Sequence, residues 1–578
     1  MSRYTTENSV VFKPGYHRAI NHTSNSRDGT ANAAADLEEF IYDNPNSVVK
    51  VESRLPILLS NFGKQGILTG TESVKIDFGQ TKINYLNTLP SIHLDNTGNA
   101  SAEYSVSAIS NVQINSGSHV TRLTLTAASG VQAHQWVAVY SSDANPSKSG
   151  GRMGQIHQVI QDETAAPYVY LCGKVGKIAS FTTNIKMRIL SSAEIVNIRG
   201  GIWHPLDDTD DLTITTRSAA IKLIGHVDPR VKDVRFISPL AQDVWLQCSA
   251  GAIVDNYTVQ DTLNNADSGG YTYGVILYGM NGNTTCRNGV VRNARHPAGT
   301  TDGNNSSTST WYFKGEPTNG TFFNTRGYNC YGSVLDSHEE GCFMVYDGIV
   351  SHNGLQDERA TFAGRAFQGR SFNETLRNVT VVGGTGGISF DDVDHGELDQ
   401  VIIENISIRK INNGSGGGVG IDLKDNENTN KRHYKMKNVS LEDCDKAVNC
   451  GDKNILTYEN LTANRCDVYM DVHDGCVVTG TGTKGDFRDT PAASPGYMFI
   501  VRSEVASNPS IRLLDKPIVM KGGNSIPAAL FHEQDTAGTK YVWHPGIIDF
   551  DGGYTAITSK SSGSTTFSDL TDINQVAL

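Results

Sequence analysis

The sequence predicts an all-β protein organised around a right-handed, single-stranded parallel β-helix over residues 198–482. Two observations predict it. A short unit, apolar–x–Asn–apolar–x–apolar, recurs as Leu376-Arg377-Asn378-Val379-Thr380-Val381, Ile403-Glu404-Asn405-Ile406-Ser407-Ile408 and Met436-Lys437-Asn438-Val439-Ser440-Leu441, with a looser copy at Tyr458-Glu459-Asn460-Leu461-Thr462-Ala463. The composition also suits many short strands joined by tight turns, with 58 glycines, 19% charged residues and much Asn, Ser, Thr and Val.

The unit has a direct physical reading. Alternation on either side of Asn places apolar side chains on one face of two successive strands. Asn tolerates the left-handed backbone region and turns the chain between them. The asparagines are spaced by 27, 33 and 22 residues. The shortest spacing is one turn of a solenoid, and surplus residues leave as loops. Equivalent Asn, Val and Cys positions then stack in ladders, Cys444 and Cys466 among them. Looser copies surround Asp233, Asn256, Asn288 and Asp347.

The flanking elements follow in chain order. Residues 1–27 are polar and aperiodic. Residues 28–100 hold a capping helix and the start of the solenoid: Ala34, Leu37 and Ile41 share one helical face after Asp28-Gly29-Thr30, and Pro45 stops the helix. Residues 101–197 are strand-rich without the repeat (Trp136-Val137-Ala138-Val139-Tyr140, Tyr168-Val169-Tyr170-Leu171) and read as a small inserted β-domain. After about Gly480 the repeat is lost, and residues 483–578 read as a separate C-terminal β-rich element.

Composition excludes several function classes. A formal net charge of −12 without a Lys/Arg cluster argues against nucleic acid. Residues 1–21 lack the apolar core of a signal peptide, and no stretch approaches the roughly 20 apolar residues that cross a bilayer. The expectation is synthesis in a cytoplasm without membrane association. Nine cysteines, an odd number without CxxC pairs, argue against a disulfide framework or zinc site and fit small buried hydrophobes. No metal and no cofactor are expected.

In the order of its parts the chain resembles the capsule-degrading tailspikes of bacteriophages that infect Gram-negative bacteria, with Klebsiella phages nearest in flavour. Four parts carry the resemblance: the entry Asp28-Gly29-Thr30 with its helix; the insert from Thr121-Arg122-Leu123 through Val137-Ala138-Val139-Tyr140 to Ile195-Val196-Asn197-Ile198-Arg199-Gly200-Gly201; Asp336-Ser337-His338 with Gly364-Arg365-Ala366-Phe367-Gln368-Gly369-Arg370; and the ending Ile511-Arg512-Leu513-Leu514-Asp515-Lys516-Pro517 with Gly552-Gly553-Tyr554. The resemblance implies a homotrimer on the virion tail that binds and depolymerises host capsular polysaccharide. It also implies a trimerising or carbohydrate-binding C-terminal element; the chain departs from long family members in having only some 27 residues before the entry motif, and attachment through another tail protein by residues 1–27 is the expectation.

A filled solenoid leaves only its outer face, or seams between copies, for a sugar chain. The densest ionisable strip there is Asp336, His338, Glu339 and Glu340, then Glu358, then Arg365, Gln368 and Arg370; a second cluster is Asp391, Asp392 and Asp394. Asp336, His338, Glu339, Glu340, Glu358, Asp391 and Asp392 are the catalytic candidates. Arg365, Gln368, Arg370, Asp394 and Trp311 are the substrate-binding ones. Hydrolysis requires two carboxylates, about 5–5.5 Å apart for retention or 6.5–9.5 Å for inversion. Elimination on a uronate requires a base such as His, with Arg neutralising the sugar carboxylate. The sequence leaves both open, and beside them a non-catalytic glycan-binding fibre on the same scaffold.

Overall fold

Left-handed turn residues set the architecture of the computed structural model. It describes residues 9–13 and 32–560, except 65–66, 69–72, 87–88, 116–117, 148–150, 164–166, 207–218, 240–241, 263–272, 295, 302–309, 331, 339–340, 354–363, 392, 412–417, 426–431, 488–496, 503–508, 516, 521–528, 534–540, 544–547 and 550–557. The chain divides into two compact units: residues 1–325 with 336–344, and residues 326–335 with 345–578. Each is a parallel β-helix.

In the first unit a strand–turn–strand pair repeats from coil to coil. The turns fall at Gly79, Gly200, Asp233, Asn256, Asn288 and Asn324, all at positive φ. Strands Val74–Asp77, Val196–Arg199, Arg230–Ile237 and Ile253–Gln260 pair in parallel register, followed by Thr285–Arg287 and Thr321–Phe323. A second parallel sheet stacks Ile92–Asp95, Ala219–Ile224, Gln242–Ala250, Tyr273–Gly282 and His296–Thr301. Leu94, Leu223, Leu246 and Leu277 form one buried row along it.

The second unit repeats the plan with turns at Gly348, Asn378, Asn405, Asn438, Asn460 and Gly482. Side-chain amides bind in series: Asn378 donates to Asp347 (2.7 Å), Asn405 to Asn378 (3.1 Å), Asn438 to Asn405 (3.1 Å) and Asn460 to Asn438 (3.0 Å). The Asp347 copy differs in detail, because the left-handed residue is Gly348 and Asp347 only accepts from the next coil. Gly480 is small for a packing reason: a Cβ there would sit 2.0 Å from the Tyr458 ring of the preceding coil.

Two elements depart from the sequence expectation. Parallel pairing does not stop near Gly480. Val477–Asp486 pairs with Ser510–Leu513 and Ile518–Met520, which pair with Tyr541–Trp543 and Ile548–Asp549. Gly replaces Asn at the first turn of this stretch, so the marker of the repeat is lost while the coil continues. Near the N-terminus, Ser9–Phe12 is a strand paired in parallel with Val48–Val51, beside helix Ala34–Asp43, whose Ala34, Leu37 and Ile41 are buried.

Residues 104–189 carry a six-stranded antiparallel sheet of Tyr104–Asn115, Ser118–Leu125, Trp136–Ala144, Arg152–Gln158, Tyr168–Leu171 and Lys186–Ile189. It has its own core around Leu123, Val137, Val139, Met153 and Val169. Eight cysteines are buried and Cys172 is exposed. Among the described residues no helix is long and apolar enough to cross a membrane.

Candidate functional site

Consecutive coils of the first unit bring an aromatic–imidazole–carboxylate group together. Tyr273 and His296 open neighbouring strands in direct register, so their rings stack 5.4 Å apart and 21° from parallel. The Asp336 backbone lies directly on Gly299, where a Cβ would come within 2.4 Å of its carbonyl oxygen. The His338 amide donates to Thr300 Oγ1 at 2.9 Å. These anchors aim His338 Nε2 at two partners, Asp336 Oδ2 at 2.9 Å and the Tyr273 hydroxyl at 2.9 Å. His296 Nδ1 stands 3.9 Å from the same Asp336 oxygen.

The group places a phenol, an imidazole and a carboxylate within hydrogen-bond reach, an arrangement able to move protons. With Asp336 ionised, Nε2 carries a proton that the carboxylate and the phenol oxygen share; with Asp336 protonated, Nε2 instead accepts the Tyr273 hydroxyl. Either arrangement leaves two protons among the three groups, the phenol's own and one held by the imidazole or the carboxylate. The His338 side chain is 18% exposed and that of Asp336 3%, so the imidazole faces solvent from a carboxylate base that does not. Glu339 and Glu340, the next two candidates, lie outside the described residues, as do Glu358 and Asp392.

A second group stands in the other unit. Gln368 and Ser389 occupy facing positions on neighbouring strands. Gln368 Nε2 (2.5 Å) and Arg370 Nε (2.8 Å) donate to Asp391 Oδ2, and Ser389 Oγ lies 3.4 Å from Oδ1. Behind it, buried Arg432 donates to the Asp391 carbonyl (3.1 Å), the Ser371 carbonyl (2.9 Å), Glu374 (3.0 Å) and Asp399 (2.5 Å). Burial alone would lower the Arg432 pKa; Asp399, Tyr434 and Glu374 more than reverse that and raise it. Arg365 has no ion-pair partner among the described residues, and its side chain lies against Gly386. Asp394 instead closes a turn through Gly396 N at 2.9 Å.

Trp311 does not serve as the expected sugar platform. It is buried, stacked 6.0 Å from Tyr140 of the insert, with the Arg188 guanidinium 5.4 Å over its ring. Its apolar area closes the seam between insert and solenoid. Tyr273, His296 and Arg432 were not singled out in the sequence. The 23-residue step between Tyr273 and His296, one coil, is the signal that identifies that pair.

Among the described residues one group has ligand atoms placed for a cation. Asp425, Asp452 and His473 offer atoms all within 4.8 Å of one another. His473 Nδ1 stands 3.8 Å from each carboxylate, so an imidazolium bridging two acids also accounts for the arrangement. Burial, and then the charge of Asp425, raise the Asp452 pKa.

No protein-family model matches the chain, and no curated protein matches it in sequence. Among solved structures it is similar to the tailspike protein of Pseudomonas phage LKA1, with 13% identity, a TM-score of 0.50, and coverage of 86% of this chain and 75% of that one. The tailspike of Pseudomonas phage phi297 gives 13% identity and 0.45, covering 83% and 73%. The tailspike of Acinetobacter baumannii bacteriophage AP22, solved in complex with A. baumannii capsular saccharide, gives 11% and 0.42, covering 94% and 76%. The first of these likenesses shows the fold: a parallel β-helix of the tailspike kind.

Proposed function

We propose that this chain is a phage tailspike that binds host capsular polysaccharide and cuts its glycosidic bonds, with Tyr273, His338 and Asp336 handling the proton. The observation that carries this reading is that Tyr273 and Asp336 both stand 2.9 Å from one nitrogen of a largely buried imidazole. The shared fold adds support. The quaternary part of the proposal is a homotrimer held on the tail through residues 1–27 by another tail protein.

The described part of the group has a Tyr, two His and a single carboxylate, and elimination on a uronate is the reaction it fits best. With its Nε2–H held by ionised Asp336, neutral His338 uses its other ring nitrogen to remove the proton beside the sugar carboxylate, the electron pair forms a double bond to the neighbouring ring carbon, and the bond to the glycosidic oxygen breaks. Tyr273 gives that oxygen its proton. Hydrolysis instead requires a second carboxylate at a defined separation from Asp336, which Glu339 or Glu340 would have to supply.

The test is digestion of purified capsular polysaccharides from a broad panel of serotypes, read by polymer size and by the near-ultraviolet absorbance of unsaturated uronate. H338A and Y273F are expected to lower the rate by about a hundredfold or more while staying folded. Shortening without the absorbance assigns hydrolysis. Binding without shortening assigns a non-catalytic adhesin. Full activity in H338A moves the chemistry to the Asp391 group.

A further inference from the structure

The inserted β-domain reaches the solenoid with charged and polar side chains, and the place they grip lies four residues beyond His338. We infer that the buried Lys177–Glu316–Gln155 cluster is a positioning device, through which the insert fixes the segment carrying Asp336 and His338. The inference rests on the reading of Tyr273, His338 and Asp336 as the catalytic group.

Glu316, on the solenoid, is the hub. Lys177 Nζ stands 2.7 Å from its Oε2, and Asn145 Nδ2 donates to the same oxygen at 3.0 Å. Gln155 Nε2 donates to Oε1 at 2.6 Å, and the Cys342 thiol donates to Oε1 at 3.0 Å. Lys177 and Glu316 have 0% exposed side chains. Asn145, Gln155 and Lys177 belong to the insert; Glu316 and Cys342 belong to the solenoid. Gln155 is itself held, accepting from Gly176 N at 3.1 Å and donating to Gly176 O at 3.0 Å.

The grip reaches His338 through backbone hydrogen bonds of Cys342 and Gly341. Cys342 N donates to Pro317 O at 2.9 Å, and its carbonyl accepts from Asn319 N at 3.0 Å. Gly341 N donates to His338 O at 3.2 Å, and His338 N to Thr300 Oγ1 at 2.9 Å. Asp336 and His338 are therefore set by Gly299 and Thr300, Cys342 by Glu316 and the insert, and the Gly341–His338 bond links the two. Gly176 closes the contact: a Cβ there would stand 2.8 Å from Cys342 Sγ and 3.1 Å from the Phe343 ring. A fully buried ion pair is a poor source of stability, because desolvation cancels its attraction. Fixing one geometry is what it does well, and a 1 Å misplacement of a reacting group costs about a hundredfold in rate.

The test uses the full-length chain and a capsular polysaccharide that it digests. G176A pushes on Cys342 without touching a charge, and C342A removes the contact to Glu316; E316Q and K177M serve if they fold. G176A and C342A are expected to lower kcat at least tenfold, with KM within twofold and a displaced pH–rate profile, while C342S restores the wild-type profile. Unchanged kcat and pH profile in folded G176A and C342A, alongside an inactive H338A, overturns the positioning role and leaves the catalytic reading standing. An H338A variant as active as wild type overturns both.

Discussion

Asn405 offers the sharpest test of what the turn position requires. Its φ of 57° is left-handed, its Nδ2 donates to Asn378 Oδ1, and its Oδ1 accepts from Asn438 Nδ2, both at 3.1 Å. Asn405→Ala removes both amide bonds, each worth about 0.5 kcal/mol at an exposed site. It also forces a Cβ-bearing residue without a polar side chain into the left-handed region, at about 1–2 kcal/mol. The expected loss is about 2–3 kcal/mol. Asn405→Gly loses the same bonds but fits the backbone, with about 0.5–1 kcal/mol from the greater freedom of the unfolded chain. Asn405→Asp tolerates the conformation and still accepts from Asn438, so it loses least. The expected order of destabilisation is Ala, then Gly, then Asp. It is measured by urea unfolding of the three variants side by side, as midpoints where refolding is complete and as unfolding rates where it is not. The use of Asp233 and Gly482 at equivalent turns agrees with that order. An Ala variant as stable as the Gly variant would falsify the claim that backbone conformation, rather than the amide ladder, dominates this position.

Two further predictions concern buried charge. Burial raises the pKa of Asp243 well above its ordinary value, and neither oxygen has a hydrogen-bond partner among the described residues. The folded state therefore keeps a proton that the unfolded chain releases near pH 4, and stability falls as pH rises from there toward the folded pKa, by about 1.4 kcal/mol per unit. Asp243→Asn should remove that slope, so its stability relative to wild type grows as pH rises above about 4; parallel curves would sink the assignment. Arg432→Met leaves Asp399 and Glu374 buried without their cation, and about 3–5 kcal/mol of stability should go with it. Arg432→Lys keeps the charge but not four simultaneous donors, and its unfolding midpoint should fall between those of Met and wild type.

The parts of the fold that were legible in the sequence are those written in local conformation. Asn at 256, 288, 378, 405, 438 and 460 marks the turn because few side chains accept positive φ, and strands on both sides alternate around it. The same turn occupied by Gly79, Gly200, Gly348 or Gly482 carries no such mark, since glycine serves many purposes. For that reason the coils after 482 looked like a different element, although Ser510–Leu513 and Tyr541–Trp543 continue the pairing.

The site divides along the same line. Asp336 and His338 are two residues apart and stood out as a dense ionisable stretch, but Tyr273 joins them from 65 residues away only because the coils stack. Trp311 looked like a sugar platform because an aromatic beside a polar loop gives no sign of the surface that covers it. That surface is the insert, with Tyr140 and Arg188. Lys177 and Glu316 are 139 residues apart and neither lies in a patterned segment, so their pairing has no signature in the chain at all. A solenoid makes these distant meetings cheap in conformational terms: once the coil register is set, every added coil places its outward side chains beside those of the coil before. Chemistry on such a scaffold is therefore assembled along the axis and across the insert seam. A register built from turn positions, whether Asn, Asp or Gly, is what would have brought Tyr273, His296 and His338 into one view.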